Sequence, residues 1–197
     1  MRPRSFSEEE VIQNLRTAFR RHGYEGLSLD VLSEATGLNR SSLYNAFGSK
    51  RGMMRAAVDA YCRDSVERCA SQMNRRPVSE GARAFLGMAA GLGGESQRLG
   101  CLIGNLVAEL ASGDEADRAY FAEKLSDIET ALCEGLRRAQ QDGAIAQDAD
   151  VAALAQYLMI TAQGLRLVSQ AHPSPEKLAR SVDLALETFN RRAGVAA

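Results

Sequence analysis

Prolines, histidines and cysteines are scarce in this 197-residue chain, at four, two and four, and each scarcity excludes something. So few prolines, beside 45% apolar and 25% charged residues, exclude a disordered or fibrous chain and fit a helix-rich folded one. Cys62, Cys69, Cys101 and Cys133 lie apart without Cys-x-x-Cys spacing, and His22 and His172 stand alone, so neither a zinc cluster nor a disulfide framework is implied. No metal or cofactor is expected. No continuous apolar run approaches the roughly 18 residues of a membrane span, and MRPRSFSEEE has no apolar signal region. The expectation is a cytoplasmic protein without a membrane partner. Also missing are a Gly-x-Ser-x-Gly elbow, His-Glu-x-x-His, a phosphate-binding loop and a Gly-x-Gly-x-x-Gly turn, so no enzyme is expected.

What is present is an uneven charge. The net charge of −1 divides into nine Lys/Arg against six Asp/Glu in residues 1–55, and fifteen against nineteen in the remainder. The amino end is therefore suited to an anionic partner.

Helix signals run along the whole chain. Ser7 with Glu10 forms a capping box, and Val11, Ile12, Leu15, Ala18 and Phe19 recur at helical spacing up to Gly23, predicting a helix over 7–22. Ser28 caps a short helix with Leu29, Leu32 and Ala35 inward, ended by Gly37. Asn39 caps another over 40–47 with Leu43 and Phe47 inward. Further helices are expected over 50–75, 78–92, 101–110, from Asp114 to 140, from the Asp150 cap to 171, and from the Ser174-Pro175 start to 192. The fold class is all-α with nine helices, and the Gly-rich segment 81–104 should be the least regular.

Two short helices joined by a turn containing glycine make a helix-turn-helix. With Leu43 and Phe47 inward, Arg40, Ser41, Tyr44 and Asn45 are left on the other face of the second helix. Arginine forks onto guanine or phosphate, while Ser and Asn bond base edges or phosphate oxygens. Tyr and Lys hold the backbone in register. The pattern predicts a surface for double-stranded DNA. A helical protein-interaction adaptor that uses this domain only as a fold is the competing reading.

The run from Phe19 to Leu38 into SSLYNAFGSKRGM resembles the DNA-binding domain of the TetR family of bacterial transcriptional regulators. The likeness includes the turn at Gly37, the Leu43-Tyr44 pair, Phe47 and Lys50 opening the fourth helix, and it extends over about 50 residues. It implies a three-helix DNA-binding domain (1–50), a larger helical ligand-binding and dimerisation domain (51–197), and a homodimer that leaves its palindromic operator when a small-molecule effector binds. By family analogy the regulator is a repressor. Position by position, the resemblance makes Arg40, Ser41, Ser42 and Asn45 groove-facing and Ser28, Tyr44 and Lys50 phosphate-facing. Two residues depart from the pattern. Asp30 stands where a basic or neutral side chain is common, and there it would repel phosphate or accept from a cytosine amino group; Ala46 lacks a group that reaches the backbone. The Arg2-Pro3-Arg4 arm is either a minor-groove contact or a solvated terminus.

For the second domain, the wide apolar faces of the last two helices, with Leu154, Leu158, Leu165, Leu184, Leu186 and Phe189, exceed one inward stripe and suit a dimer interface or a thick single core. Met88, Leu102, Asn105, Leu106, Tyr120, Gln163 and Arg166 are candidate effector-pocket residues, with Arg166 available to a ligand carboxylate or to Glu109 or Glu129. The segment GCLIGNLVAEL resembles that of TetR-family members that respond to electrophiles or oxidants. Cys101, at a helix start and near Arg98, is thus either a reactive sensor or a packed thiol.

Overall fold

Local capping chemistry sets most helix boundaries. The computed structural model describes residues 7–75, 77–92, 100–110, 113–171 and 174–195, and among these residues it has nine α-helices and no strand. They are α1 (Glu8–His22), α2 (Leu29–Thr36), α3 (Arg40–Phe47), α4 (Lys50–Met73), α5 (Val78–Ala89), α6 (Leu102–Leu110), α7 (Glu115–Gln141), α8 (Val151–Ser169) and α9 (Pro175–Ala193). The Ser7 hydroxyl accepts the Glu10 N–H while the Glu10 carboxylate accepts the Ser7 N–H, closing the capping box. Ser28, Asn39, Asp150 and Ser174 cap α2, α3, α8 and α9 with a single bond each, the side-chain oxygen accepting a backbone N–H of the first turn. The expected contributions of Arg2, Pro3, Arg4 and Arg98 lie outside the described residues.

The chain separates into two compact units. The first joins residues 1–63 to 102–122, so it contains α1 to α3, the first part of α4, α6 and the start of α7. α1 packs on α2 and on α6, and α2 packs on α3. Leu15, Phe19, Leu27, Leu32, Leu43, Met53 and Met54 form its buried centre. Each such side chain contributes about 1.5–3 kcal/mol by leaving water. Two inward assignments are corrected. Ala35 is exposed and Thr36 is buried in its place, its hydroxyl satisfied by the Leu32 carbonyl at 2.7 Å, and Phe47 is only half-buried, leaving Leu43 as the one fully buried residue of α3.

The second unit comprises residues 64–101 and 123–197, with α5 packed on α8 and α9. Phe85, Leu86, Leu132, Leu136, Leu158 and Phe189 lie in its core. Gly135 of α7 meets Met73 so closely that an added Cβ would lie 2.3 Å from the Met73 Cβ. By length and a mean hydropathy of 1.3, α8 is apolar enough to cross a membrane, although Gln156, Gln163 and Arg166 interrupt it. Its apolar side chains divide between the core (Leu154, Leu158, Met159, Leu165) and an exposed set (Ile160, Leu167, Val168).

Candidate nucleic-acid interface

α3 is a short helix held by one apolar anchor and two caps. Leu43 is fully buried, the Asn39 side chain accepts the Ser42 N–H at 2.8 Å, and Gly48, at φ 74°, donates its N–H to the Tyr44 carbonyl. Arg40, Ser41, Tyr44 and Asn45 are thereby left exposed on one surface, with Ser42 half-buried at its edge. Ser28 is exposed at the start of α2, where its hydroxyl is already used as the cap, accepting the Val31 N–H at 3.3 Å.

The α3–α4 junction is tight. The Ser49 hydroxyl accepts the Gly52 N–H at 3.0 Å, opening α4, and a Cβ at Gly52 would come within 1.9 Å of the Phe47 carbonyl oxygen. This close approach fixes where Lys50 leaves the helix pair. The Lys50 ammonium lies 4.5 Å from the centroid of the Tyr24 ring, which itself stacks beside Phe19.

Arg40 is not free-standing. Its Nε and Nη2 donate to the same Asp30 oxygen at 2.9 and 2.5 Å, joining the first turn of α2 to the first residue of α3. This hydrogen bond, reinforced by the opposite charge, holds the Asp30 carboxyl below its ordinary value and raises the Arg40 guanidinium.

Two further clusters fix the same unit. Glu109, near the end of α6, accepts the Tyr24 N–H at 2.7 Å and the Glu25 N–H at 2.6 Å, one with each carboxylate oxygen. It therefore clasps the α1–α2 turn at Gly23, whose φ is 69°. On α4, Arg51 reaches Asp114 at 3.1 Å and buried Asp117 at 2.9 Å, and Arg55 reaches Asp117 at 3.5 Å. The Asp117 oxygens make no directed hydrogen bond, so these are charge contacts. Tyr120 donates its hydroxyl to Asp59 at 2.9 Å beneath the Arg55 guanidinium, and burial with that carboxylate raises its phenol far above the ordinary value.

The expected effector residues are less gathered. Met88, Cys101, Gln163 and Arg166 belong to the second unit, and Leu102, Asn105, Leu106 and Tyr120 to the first. Within the second unit Gln163 donates its amide N–H to the Cys101 sulfur at 3.8 Å, and Cys101 is buried at 2% exposure. Leu102 and Leu106 are buried, and Met88, Asn105 and Arg166 half-buried. A cleft of about 800 Å³ lies elsewhere, lined by Asp150, Leu154, Tyr157, Thr188, Arg191 and neighbours, and includes none of the eight. Among the described residues no group of His, Cys, Asp and Glu is placed to hold a metal.

Residues 12–57 match the family described as bacterial regulatory proteins, tetR family, and residues 83–185 match the tetracyclin repressor-like C-terminal domain. The chain belongs to the TetR family. It is 28% identical over 195 residues to the uncharacterized HTH-type transcriptional regulator YezE of Bacillus subtilis, covering 96% of this chain and 99% of that one. It is 30% identical over 184 residues to the HTH-type transcriptional repressor ComR of Escherichia coli, covering 90% and 86%. Among solved structures, the regulator CifR, as a cysteine mutant complexed with 26bp double-strand operator DNA, matches with a TM-score of 0.81 at 28% identity, covering 95% of this chain and 98% of that one. This TetR-family chain is accordingly a DNA-binding transcriptional regulator, and its all-α fold, with nine helices among the described residues, is the family's.

Three features of the TetR unit escape a reading of sequence periodicity. The Glu109 clasp joins residues 85 apart, and no local pattern announces it. The Asp30–Arg40 pair spans ten residues across a turn, and the unusual acid at position 30 was its only signal. Gly52 lies inside a helix, where glycine is unfavourable without a packing reason, and that reason, the Phe47 carbonyl oxygen beside it, is not announced by spacing.

Proposed function

We propose that this regulator is a cytoplasmic repressor that binds a palindromic operator as a homodimer through α3 and is released by a small-molecule effector. Residues 1–50 are the DNA-binding domain and 51–197 the regulatory and dimerisation domain. The observation that carries the reading is the exposure of Arg40, Ser41, Tyr44 and Asn45 on a helix anchored by Leu43 and its caps. Arg40, Ser41, Ser42 and Asn45 meet base edges in the major groove, and Ser28, Tyr44 and Lys50 meet phosphates. The repressor name of ComR and the operator complex of CifR support the reading. An adaptor would have no need of this polar face.

The second copy docks on α8 and α9. Of seven exposed large apolar side chains among the described residues, four are Ile160, Leu167, Val168 and Leu184 on these two helices. Residues 160, 164, 167 and 168 form one stripe at helical spacing, with Gly164 opening a close approach. A two-fold pair on this stripe gives two copies of α3, and hence the palindrome.

For the effector, the 2% exposure of Cys101 and its Gln163 contact support a packed thiol rather than a reactive one, since reactive thiols sit partly exposed. The effector is then held non-covalently, and a coupling through α6 is supported by Glu109, which lies seven residues after Leu102 and clasps the α1–α2 turn. Treatment with N-ethylmaleimide should leave operator binding unchanged; loss of binding that Cys101→Ser prevents would restore the sensor reading. A gel shift on duplexes from the DNA flanking its gene tests the whole proposal, with affinity falling steeply as salt rises.

A further inference from the structure

We propose that Asp30 is a positioning residue that makes Arg40 a reader of guanine. The inference rests on the reading that Arg40 faces the major groove.

A guanidinium has two edges that can fork onto an acceptor pair. One is formed by Nε–H with the nearer Nη2 proton, the other by one proton from each terminal nitrogen. Asp30 occupies the first edge, since Nε and Nη2 both donate to its Oδ1 at 2.9 and 2.5 Å. The end edge, Nη1 with the second Nη2 proton, is left facing away from the carboxylate. Guanine offers the matching acceptors, O6 and N7, in the major groove, and a bidentate arginine contact is the commonest specific one there. Arg40 is also the first residue of α3, at the end of a recognition helix that reaches base edges.

The pair also changes what the arginine can do. Both groups are exposed, with 59% and 72% of their side-chain surfaces accessible, so an unpaired Arg40 would sweep many rotamers and swing equally well to a phosphate. A carboxylate at its side keeps the fork in one plane. The same negative charge discourages collapse onto the DNA backbone, because a phosphate brought to Arg40 is brought to Asp30 as well. Asp30 thus converts a general cation into a base-selective donor pair. Asp30 is supplied by α2 and Arg40 by α3, so the aim of the fork is set by the packing of those two helices.

The test is selection from a duplex library of randomised sequence with the full-length protein and the variants Asp30→Asn, Asp30→Ala and Arg40→Ala, followed by competition binding on the enriched duplexes and on versions changed at one position. The wild type should enrich a guanine at one position of each half-site. Arg40→Ala should lose discrimination at that position, on the order of tenfold, as expected for one bidentate contact. Both Asp30 variants should lose several-fold there while keeping preferences elsewhere, with unchanged helical circular dichroism. If Arg40→Ala flattens the position and the Asp30 variants retain full guanine preference, the positioning role is overturned while the groove-facing reading stands. If the Asp30 variants bind every duplex more tightly by the same factor, Asp30 is only a charge brake and the inference fails. If Arg40→Ala leaves every base preference intact, the reading of Arg40 falls and takes this inference with it.

Discussion

Glu109 and Tyr24 are 85 residues apart, yet the Glu109 carboxylate accepts the Tyr24 backbone N–H at 2.7 Å and, with its other oxygen, the N–H of Glu25. The two amides belong to a turn whose Gly23 backbone is in a positive-φ conformation that a larger side chain would resist. The tip of α6 therefore holds the loop between the first two helices. The Tyr24 ring in turn lies 4.5 Å from the Lys50 ammonium, so the clasp bears on a phosphate-facing candidate.

Removing that clasp should loosen the turn selectively. Glu109→Ala is expected to cost about 2 kcal/mol of local stability, the size of hydrogen bonds made to a charged acceptor. Amide hydrogen exchange should accelerate at Tyr24 and Glu25 and change little in α8. Glu109→Gln keeps one acceptor oxygen and should fall between the two. Unchanged exchange in Glu109→Ala would show that the contact holds nothing.

The α3–α4 junction should be intolerant of any side chain at Gly52. A Cβ there would sit 1.9 Å from the Phe47 carbonyl, so Gly52→Ala must shift α3 or α4. A loss of about 1–3 kcal/mol in stability is expected for such overpacking, with weaker duplex binding as α3 is displaced. Gly48→Ala is the contrast, strained only by its φ of 74° with open space around it.

Much of this was legible along the chain because it is local. Caps at Ser7, Ser28, Asn39, Asp150 and Ser174 act within three residues, so the sequence carries them whole. The exchange of Ala35 for Thr36 was not legible, since a threonine is buried only if its hydroxyl finds an acceptor, and that acceptor, the Leu32 carbonyl, exists only once the turn is built. Phe47 was expected inward with Leu43, but it lies at the helix end where the chain turns at Gly48, and it remains half-buried. The effector candidates rest on residue type, apolar with a few polar groups as a pocket needs, and for Cys101 on the family resemblance of its segment. Neither says which faces of several helices converge.

The charge cluster on α4 and α7 makes a stability prediction. Asp117 is fully buried and faces Arg51 and Arg55, which are partly exposed. Asp117→Ala should destabilise by about 1–3 kcal/mol, below the cost of breaking a fully buried pair because solvent screens the two arginines. The thermal midpoint, read at fixed protein concentration, should fall by several degrees. An equal or higher midpoint would mean that the desolvation of Asp117 outweighs its partners.

Acid should act through Asp30 and Asp114. Asp30 is held below the ordinary 3.8 by Arg40, and Asp114 chiefly by the Ala116 N–H, which it accepts at 2.9 Å, then by Arg51. A carboxyl with a depressed folded value contributes stability that is full above its unfolded value and is lost as pH falls through the folded one. Stability should therefore decline below about pH 4, and the Asp30→Asn/Asp114→Asn double variant should show a shallower acid limb than the wild type. Parallel acid limbs in denaturant titrations would contradict this assignment.

The exposed stripe on α8 and α9 gives the next expectation. Leu167→Glu with Leu184→Glu should convert a dimer to a monomer in light scattering while helical content is kept, because both side chains are already solvent-facing, at 70% and 64% exposure, in one copy. Duplex affinity should drop with the loss of dimerisation, since each half-site is then bound alone.

The most direct measurement is the salt dependence of binding to a duplex from the DNA flanking the gene, compared between the wild type and Lys50→Ala and Tyr44→Phe with Asn45→Ala. The wild type should show a steep linear fall of log affinity with log salt, and Lys50→Ala a slope smaller by about 1 per protomer. The α3 double variant should bind much more weakly. Wild-type affinity in that variant, or a slope indifferent to Lys50, would contradict the claim that α3 and the start of α4 are the surface that holds DNA.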